Sequence, residues 1–113
     1  SLMSESEVRQ LIAGYDGVVL DDRSTPELAI YSIKGQAMAV VHPESQPVSI
    51  GLRCDPNLGE LLRRRYESVS LESGLNKKRF INILLVGQLS DEEVRSQIRH
   101  AYEETNRLLT AGS

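Results

Sequence analysis

Residues 48–86 constrain the fold most, because within them a strand pattern gives way to a capped helix and then to further strands. Apolar side chains at every second position from Val48 to Leu52 are typical of a half-buried antiparallel strand. Asp55 can cap the first turn of a helix, and Pro56 suits the first helical position, where a missing N–H costs nothing. The stretch therefore predicts a strand, a helix, a short strand, a basic turn and a long apolar strand, at 48–53, 55–67, 69–71, 76–79 and 80–86.

Helical signals flank this stretch near both ends of the chain. Ser4 and Glu7 have the spacing of a capping box, and Ser90 and Glu93 repeat it ahead of the last amphipathic segment. Between the first helix and residue 48, turn residues separate three strand patterns, at 18–20, 28–33 and 36–42. We therefore predict an α+β fold, α-β(3)-α-β(2)-α with a fourth short strand as an option, in which the helices pack on one side of an antiparallel sheet.

Composition limits the class of protein. The chain has 113 residues, enough for one domain, which we assign to residues 3–110 with 1–2 interpreted as an expression scar. Its single cysteine cannot form an internal disulfide. No apolar run approaches the roughly 20 residues that cross a bilayer. We therefore expect a cytoplasmic protein with no membrane partner.

No set of side chains in the sequence has the spacing of an active site or a metal centre. The glycines do not form a phosphate-binding loop. His42 and His100 fall on different predicted elements, and two separate imidazoles are too few ligands for a metal site. We interpret both as surface or turn histidines and Cys54 as a buried structural residue. The sequence therefore predicts a protein that is not an enzyme and uses neither cofactor nor metal.

Charge is unevenly distributed along the chain. The net charge is −3, yet residues 51–80 hold seven basic and four acidic side chains, which leaves six basic and twelve acidic ones elsewhere. Such asymmetry is compatible with an anionic partner on one face. If the cations converge, they form a surface that contacts phosphates; if they do not, they are solvated charges that protect strand edges. The candidate residues are Arg53, Arg63, Arg64, Asn76, Lys77, Lys78 and Arg79.

Four of these segments together resemble the MmcQ/YjbR-like family. The segments are 48–56, which ends in Cys54-Asp55-Pro56, then 61–66, then 74–83, which contains Asn76-Lys77-Lys78-Arg79, and 89–94. The family usually has a tryptophan where Phe80 stands. The resemblance implies an α+β fold of the secretion-chaperone type and a DNA-binding function with Arg53 and residues 76–79 as contacts. The chaperone-like fold also implies the alternative, a protein-interaction module without nucleic-acid binding.

Overall fold

The computed structural model describes residues 3–72 and 78–111, and the predicted α+β fold is confirmed within them. The helices are α1 (Glu5–Ala13), α2 (Pro56–Arg65) and α3 (Asp91–Ala111). The strands are β1 (Val19–Leu20), β2 (Ala29–Ile33), β3 (Gln36–His42), β4 (Ser49–Arg53), β5 (Val69–Leu71) and β6 (Phe80–Leu84). The two-residue β1 is the optional fourth strand before α2, and the last strand ends two residues earlier than the apolar run predicts.

One antiparallel sheet contains all six strands of the described ranges, in the order β1-β2-β3-β4-β6-β5. β4 lies in its interior, with Leu52 paired to Ala39 on one side and to Ile81 on the other. The helix α2 carries the chain from β4 to the edge strand β5, and β6 then returns between them. The two strands of the central stretch, β4 and β6, are therefore neighbours.

All three helices pack against the same face of the sheet. Val8 of α1, Leu62 of α2 and Ile98 of α3 belong to one hydrophobic core together with Ile50 and Ile83 of the sheet. Burial of an aliphatic side chain of this size stabilises a fold by about 1.5–3 kcal/mol. The core is mainly aliphatic, as a chain with only 4% aromatic residues requires. No helix in residues 3–72 and 78–111 is long and apolar enough to span a bilayer.

Capping interactions fix the starts of the helices. Ser4 Oγ accepts from the Glu7 N–H at 3.1 Å, and Ser90 Oγ accepts from the Glu93 N–H at 3.1 Å. Each glutamate in turn accepts from the backbone N–H of its serine, which completes both predicted capping boxes. The Asp55 carboxylate accepts from two first-turn N–H groups of α2. A cap of this kind contributes about 1 kcal/mol, so local sequence determines where the helices begin.

The face of the sheet opposite the helices has a polar centre. Gly51 and Asn82 are paired across β4 and β6, and their side-chain positions alternate with those of the core residues. Glu72 follows the edge strand β5 and lies over Gly51 with its side chain only 1% exposed. His42 Nε2 lies 2.9 Å from Glu72 Oε1. A hydrogen-bonded acidic side chain thus covers the middle of this face.

The interpretation of the two histidines as surface or turn residues is wrong. Both are half-buried, and each links two elements of the fold. His42 bonds to Glu72, whereas His100 Nε2 accepts from the backbone N–H of Asp55 at 3.2 Å. His100 therefore ties α3 to the start of α2. A one-dimensional pattern could not reveal these contacts, because both partners are distant in sequence.

Candidate functional site

A cavity of about 410 Å³ lies at the end of the sheet where β3 begins, β4 ends and β6 begins. The C-terminal part of α3 forms its other wall. The lining residues are Gln36, Arg53, Cys54, Arg79, Glu104, Arg107, Leu108 and Ala111. Three arginines from separate parts of the chain therefore meet beside one carboxylate, and two of them are residues that the sequence nominated.

Arg53 is a cation held in a fixed position at the end of β4. Its Nε donates to the Ala37 carbonyl oxygen at 2.8 Å, and its guanidinium carbon lies 4.7 Å from the centroid of the Phe80 ring. Arg53 is half-buried, and burial followed by the like charge of Arg79 lowers its pKa. A guanidinium stays protonated at neutral pH even so. The result is a partly desolvated positive charge with a defined orientation.

Arg79 sits on the turn that leads into β6. Its backbone carbonyl accepts from the Cys54 N–H at 2.7 Å, which attaches this turn to the residue after β4. Its side chain is exposed, and makes no hydrogen bond or ion pair to residues 3–72 or 78–111. Lys78, the preceding residue, is also exposed but does not line the cavity. The turn thus brings a second cation next to Arg53.

The third arginine comes from α3 and is already paired. Arg107 donates to both Glu104 oxygens, with distances of 2.8 Å for each bond. These hydrogen bonds are the main reason that the pKa of Glu104 lies below its ordinary value. Sequence reasoning missed both residues. Their spacing of three is the signal of a helical ion pair, but it does not indicate that this turn of α3 lies beside β4.

Cys54 forms part of the cavity wall and is chemically inert there. Its side chain is buried, as the sequence predicts, and burial raises the pKa of the thiol to about 12. The thiol, rather than the thiolate, is therefore present at neutral pH, and a thiol is a poor nucleophile. Among the described residues, no three histidine, cysteine or acidic side chains gather as metal ligands. The cavity accordingly offers cations rather than nucleophiles.

The remaining sequence candidates do not join this cavity. Arg63 lies along α2, where its guanidinium is next to Gly59. Arg64 is exposed and donates to Glu60 at 2.7 Å, one turn away on the same helix. Asn76 and Lys77 lie outside the described residues. The structure thus brings Arg53 and Arg79 together, whereas the arginines of α2 lie on their own helix, outside the cavity.

A second cavity, of about 320 Å³, lies on the face of the sheet opposite the helices. Its lining residues are His42, Ser45, Ser49, Ser70, Leu71 and Asn82. These side chains supply hydroxyl, amide and imidazole groups, and none is a lysine or an arginine. The two cavities therefore differ in charge, and only the first suits an anion.

Solved structures with the same fold include proteins from Deinococcus radiodurans and Pseudomonas syringae. The crystal structure of Deinococcus radiodurans protein DR2400, which contains a DUF419 domain, has a TM-score of 0.81 and 21% identity, covering 89% of this chain and 77% of that one. A crystal structure of a Pseudomonas syringae protein has a TM-score of 0.75 and 20% identity, covering 91% and 99%. A solution NMR structure from the same species gives 0.71 and 20%, covering 91% and 93%. At these identities the likeness establishes the fold.

Sequence comparison identifies the family. No curated protein matches the sequence. The YjbR family model matches residues 4–104, which include both capping boxes and all seven candidate residues of the sequence analysis. Arg53, Arg79 and Glu104 all fall within the matched range. Because the match spans nearly the whole chain, this protein belongs to the YjbR family.

Proposed function

We propose that this protein is a non-enzymatic domain that binds DNA through phosphate contacts at the cavity end of its sheet. The observation that supports the proposal is the convergence of Arg53, Arg79 and Arg107 on one cavity. Phosphate oxygens are the natural partners of guanidinium groups, whose planar donors match them bidentately. Lys78, exposed beside Arg79, extends the same cationic surface.

Rigid cations are better suited to this role than mobile ones. Arg53 is positioned by a backbone carbonyl and an aromatic face, so it loses little conformational freedom when it contacts a phosphate. Arg79 is carried on a turn that is bonded to Cys54. An acidic chain with a cationic surface at this end of the sheet would approach DNA in a preferred orientation. The chain's single cysteine is compatible with the cytoplasmic location that we propose for this function.

The test is a fluorescence anisotropy titration with a 20-base-pair duplex that lacks terminal phosphates, at several salt concentrations. Lys78→Ala combined with Arg79→Ala should weaken binding and lower the salt slope by about 2, roughly one unit for each lost phosphate contact. Arg95→Ala combined with Arg99→Ala is the matched control, because it also removes two exposed positive charges, here from the polar face of α3. The control should keep the wild-type slope.

Two results would reject the DNA-binding proposal. One is the absence of binding at low salt, where phosphate contacts are strongest. The other is an equal loss in both double variants, which would show that net charge rather than the cavity surface governs binding. Thermal unfolding of each variant establishes that the fold is retained.

The alternative, a protein-interaction module, has one observation in its favour. Val19 and Leu20 of the edge strand β1 are each 56% exposed. An exposed apolar edge strand can pair with another chain. Native mass spectrometry should then detect a dimer that Val19→Lys disrupts. A monomer at every concentration tested would weigh against self-association and leave the DNA-binding proposal as it stands.

A further inference from the structure

We propose that the cavity at the sheet end binds a single phosphomonoester group, such as that of a nucleoside monophosphate or of the terminal nucleotide of a strand. The inference rests on the proposed function in that it uses the same basic site, and it specifies the chemical group that the site accepts. The cavity of about 410 Å³ has the size of a small-molecule pocket, roughly 300–1,000 Å³. One nucleotide fits such a space, whereas a duplex can only lie across its mouth.

Charge balance favours a dianion. The lining contains three arginines and one carboxylate, an excess of two positive charges. Glu104 is committed to Arg107 by two hydrogen bonds, so the excess resides on Arg53 and Arg79. A phosphomonoester carries about −1.5 to −2 charges at neutral pH, whereas each phosphodiester of a strand carries one. The C-terminal end of α3 contributes about half a negative charge, which reduces the excess without cancelling it.

Hydrogen-bond donors are available where the charge resides. Arg53 has five N–H donors and uses its Nε–H for the Ala37 carbonyl. Its other four donors make no hydrogen bond to the part of the chain that the structure describes. The guanidinium lies over the Phe80 ring, and its four remaining donors are available to meet phosphate oxygens. Arg79 can approach the same group from the adjacent turn.

The cavity also has an apolar side. Leu108 and Ala111 of α3 line it opposite the strand ends. A free inorganic phosphate would leave these side chains uncovered, whereas the sugar or base of a nucleotide would lie against them. Removal of this apolar surface from water favours binding. The pocket therefore suits an organic phosphomonoester better than the bare anion.

Isothermal titration calorimetry with adenosine 5′-monophosphate, adenosine and inorganic phosphate tests the inference. We expect the monophosphate to bind, inorganic phosphate to bind more weakly and adenosine not to bind. Arg79→Ala should weaken binding of the monophosphate at least about tenfold, since a charge-assisted hydrogen bond contributes about 1.5–3 kcal/mol. Glu104→Gln should strengthen it several-fold because it removes the carboxylate that the described lining contains and that holds Arg107. Arg95→Ala, outside the cavity, should leave it unchanged.

A parallel titration with a 12-nucleotide single strand, with and without a 5′-phosphate, separates the two sources of the group and the two proposals. Tighter binding of the phosphorylated strand supports the inference for a strand end. Equal binding of both strands with no binding of the monophosphate overturns the inference and supports nucleic-acid binding. Binding of the monophosphate alone supports the inference and overturns the DNA proposal. No binding of any probe, or equal monophosphate binding by wild type and Arg79→Ala, overturns the inference.

Discussion

Glu72 and Arg53 are an acidic and a basic side chain on the same face of the sheet. They differ in how deeply they are buried and in the partners that they have. Glu72 lies over Gly51, two residues before Arg53 on β4, and its side chain is 1% exposed and bonded to His42. Arg53 is half-buried, and its partners among the described residues are a carbonyl oxygen and an aromatic ring. One charge has an ionisable partner inside the fold, whereas the other lines a cavity.

The difference separates a charge that serves the fold from one that, under the proposed function, would contact an anion. Burial of a carboxylate is costly unless hydrogen bonds compensate it, so the Glu72–His42 contact is part of what keeps this face folded. Arg53 remains partly exposed to solvent, and four of its five N–H donors are unused within the described residues. The neighbouring positive charge of Arg79 repels it. If the proposed function is correct, a bound anion would relieve this repulsion and lower the free energy of the arrangement. Stability should therefore depend on Glu72 and binding on Arg53.

The largest effect that would test this comparison is expected for Gly51→Ala. A Cβ at this position would overlap both the Glu72 carboxylate and Val40, so the buried acid must shift. We expect a loss of about 3 kcal/mol in the free energy of unfolding, the upper end of the range for overpacking. Urea denaturation measures it. Ser49→Ala, on the same strand and face, is the control and should cost less than about 1 kcal/mol.

Glu72→Ala in the Gly51→Ala background refines this test. If the lost stability comes from displacement of Glu72, the double variant should be more stable than the sum of the two single changes predicts. If the two losses of stability simply add, Gly51→Ala destabilises the fold for a reason other than displacement of Glu72. If Gly51→Ala is as stable as wild type, the close packing of Glu72 on the sheet is contradicted.

A smaller effect is expected for His42→Ala. This change removes the imidazole that bonds the buried Glu72 carboxylate at 2.9 Å. Hydrogen bonds to charged groups contribute about 1.5–3 kcal/mol, so we expect a loss of about 2 kcal/mol by urea denaturation. Ser45→Ala is a suitable control because, within the described part of the chain, its hydroxyl bonds just the nearby Pro47 carbonyl in an exposed loop. If His42→Ala loses no more unfolding free energy than this control does, the His42–Glu72 contact contributes little to stability.

The fold could be predicted from the sequence because its signals are local. Capping boxes at Ser4 and Ser90, the Asp55 cap and the alternation in β4 each depend on residues within one element. The predicted order of helices and strands therefore agrees with the structure. The end of β6 at Leu84 differs from the prediction because an apolar run does not itself indicate where strand pairing stops.

The cavity could be predicted only in part because its members come from distant segments. Arg53 and Arg79 carried a sequence signal, since both adjoin strands that turn out to be neighbours. Arg64 was nominated as part of a basic run, but it lies within α2 and is paired with Glu60 on its own helix. Arg107 carried only the signal of a helical ion pair, because its place at the cavity depends on how α3 packs on the sheet. Charge runs indicate cations, whereas tertiary packing decides which of them converge.

The smallest expected effect is the change in unfolding free energy caused by Arg79→Ala. A gain in stability is expected if Arg79 is placed for binding, and a loss if it is placed for the fold. Arg79→Ala removes a cation that repels the half-buried Arg53, and also one that weakly attracts Glu104, which Arg107 already neutralises. Repulsion in the partly desolvated setting should outweigh attraction to a paired carboxylate. Because Arg79 is exposed, solvent screening limits the net gain in stability to at most about 0.5 kcal/mol.

Salt provides the control for this last prediction. Urea midpoints of wild type and Arg79→Ala should differ at about 0.01 M ionic strength and converge near 1 M, where the Debye length falls from about 30 Å to about 3 Å. Arg107→Ala should shift stability in the opposite direction, because it leaves Glu104 without its two hydrogen bonds. If Arg79→Ala is less stable than wild type, Arg79 makes a net stabilising contribution to the fold. The proposed phosphate contacts at this end of the sheet would then depend mainly on Arg53.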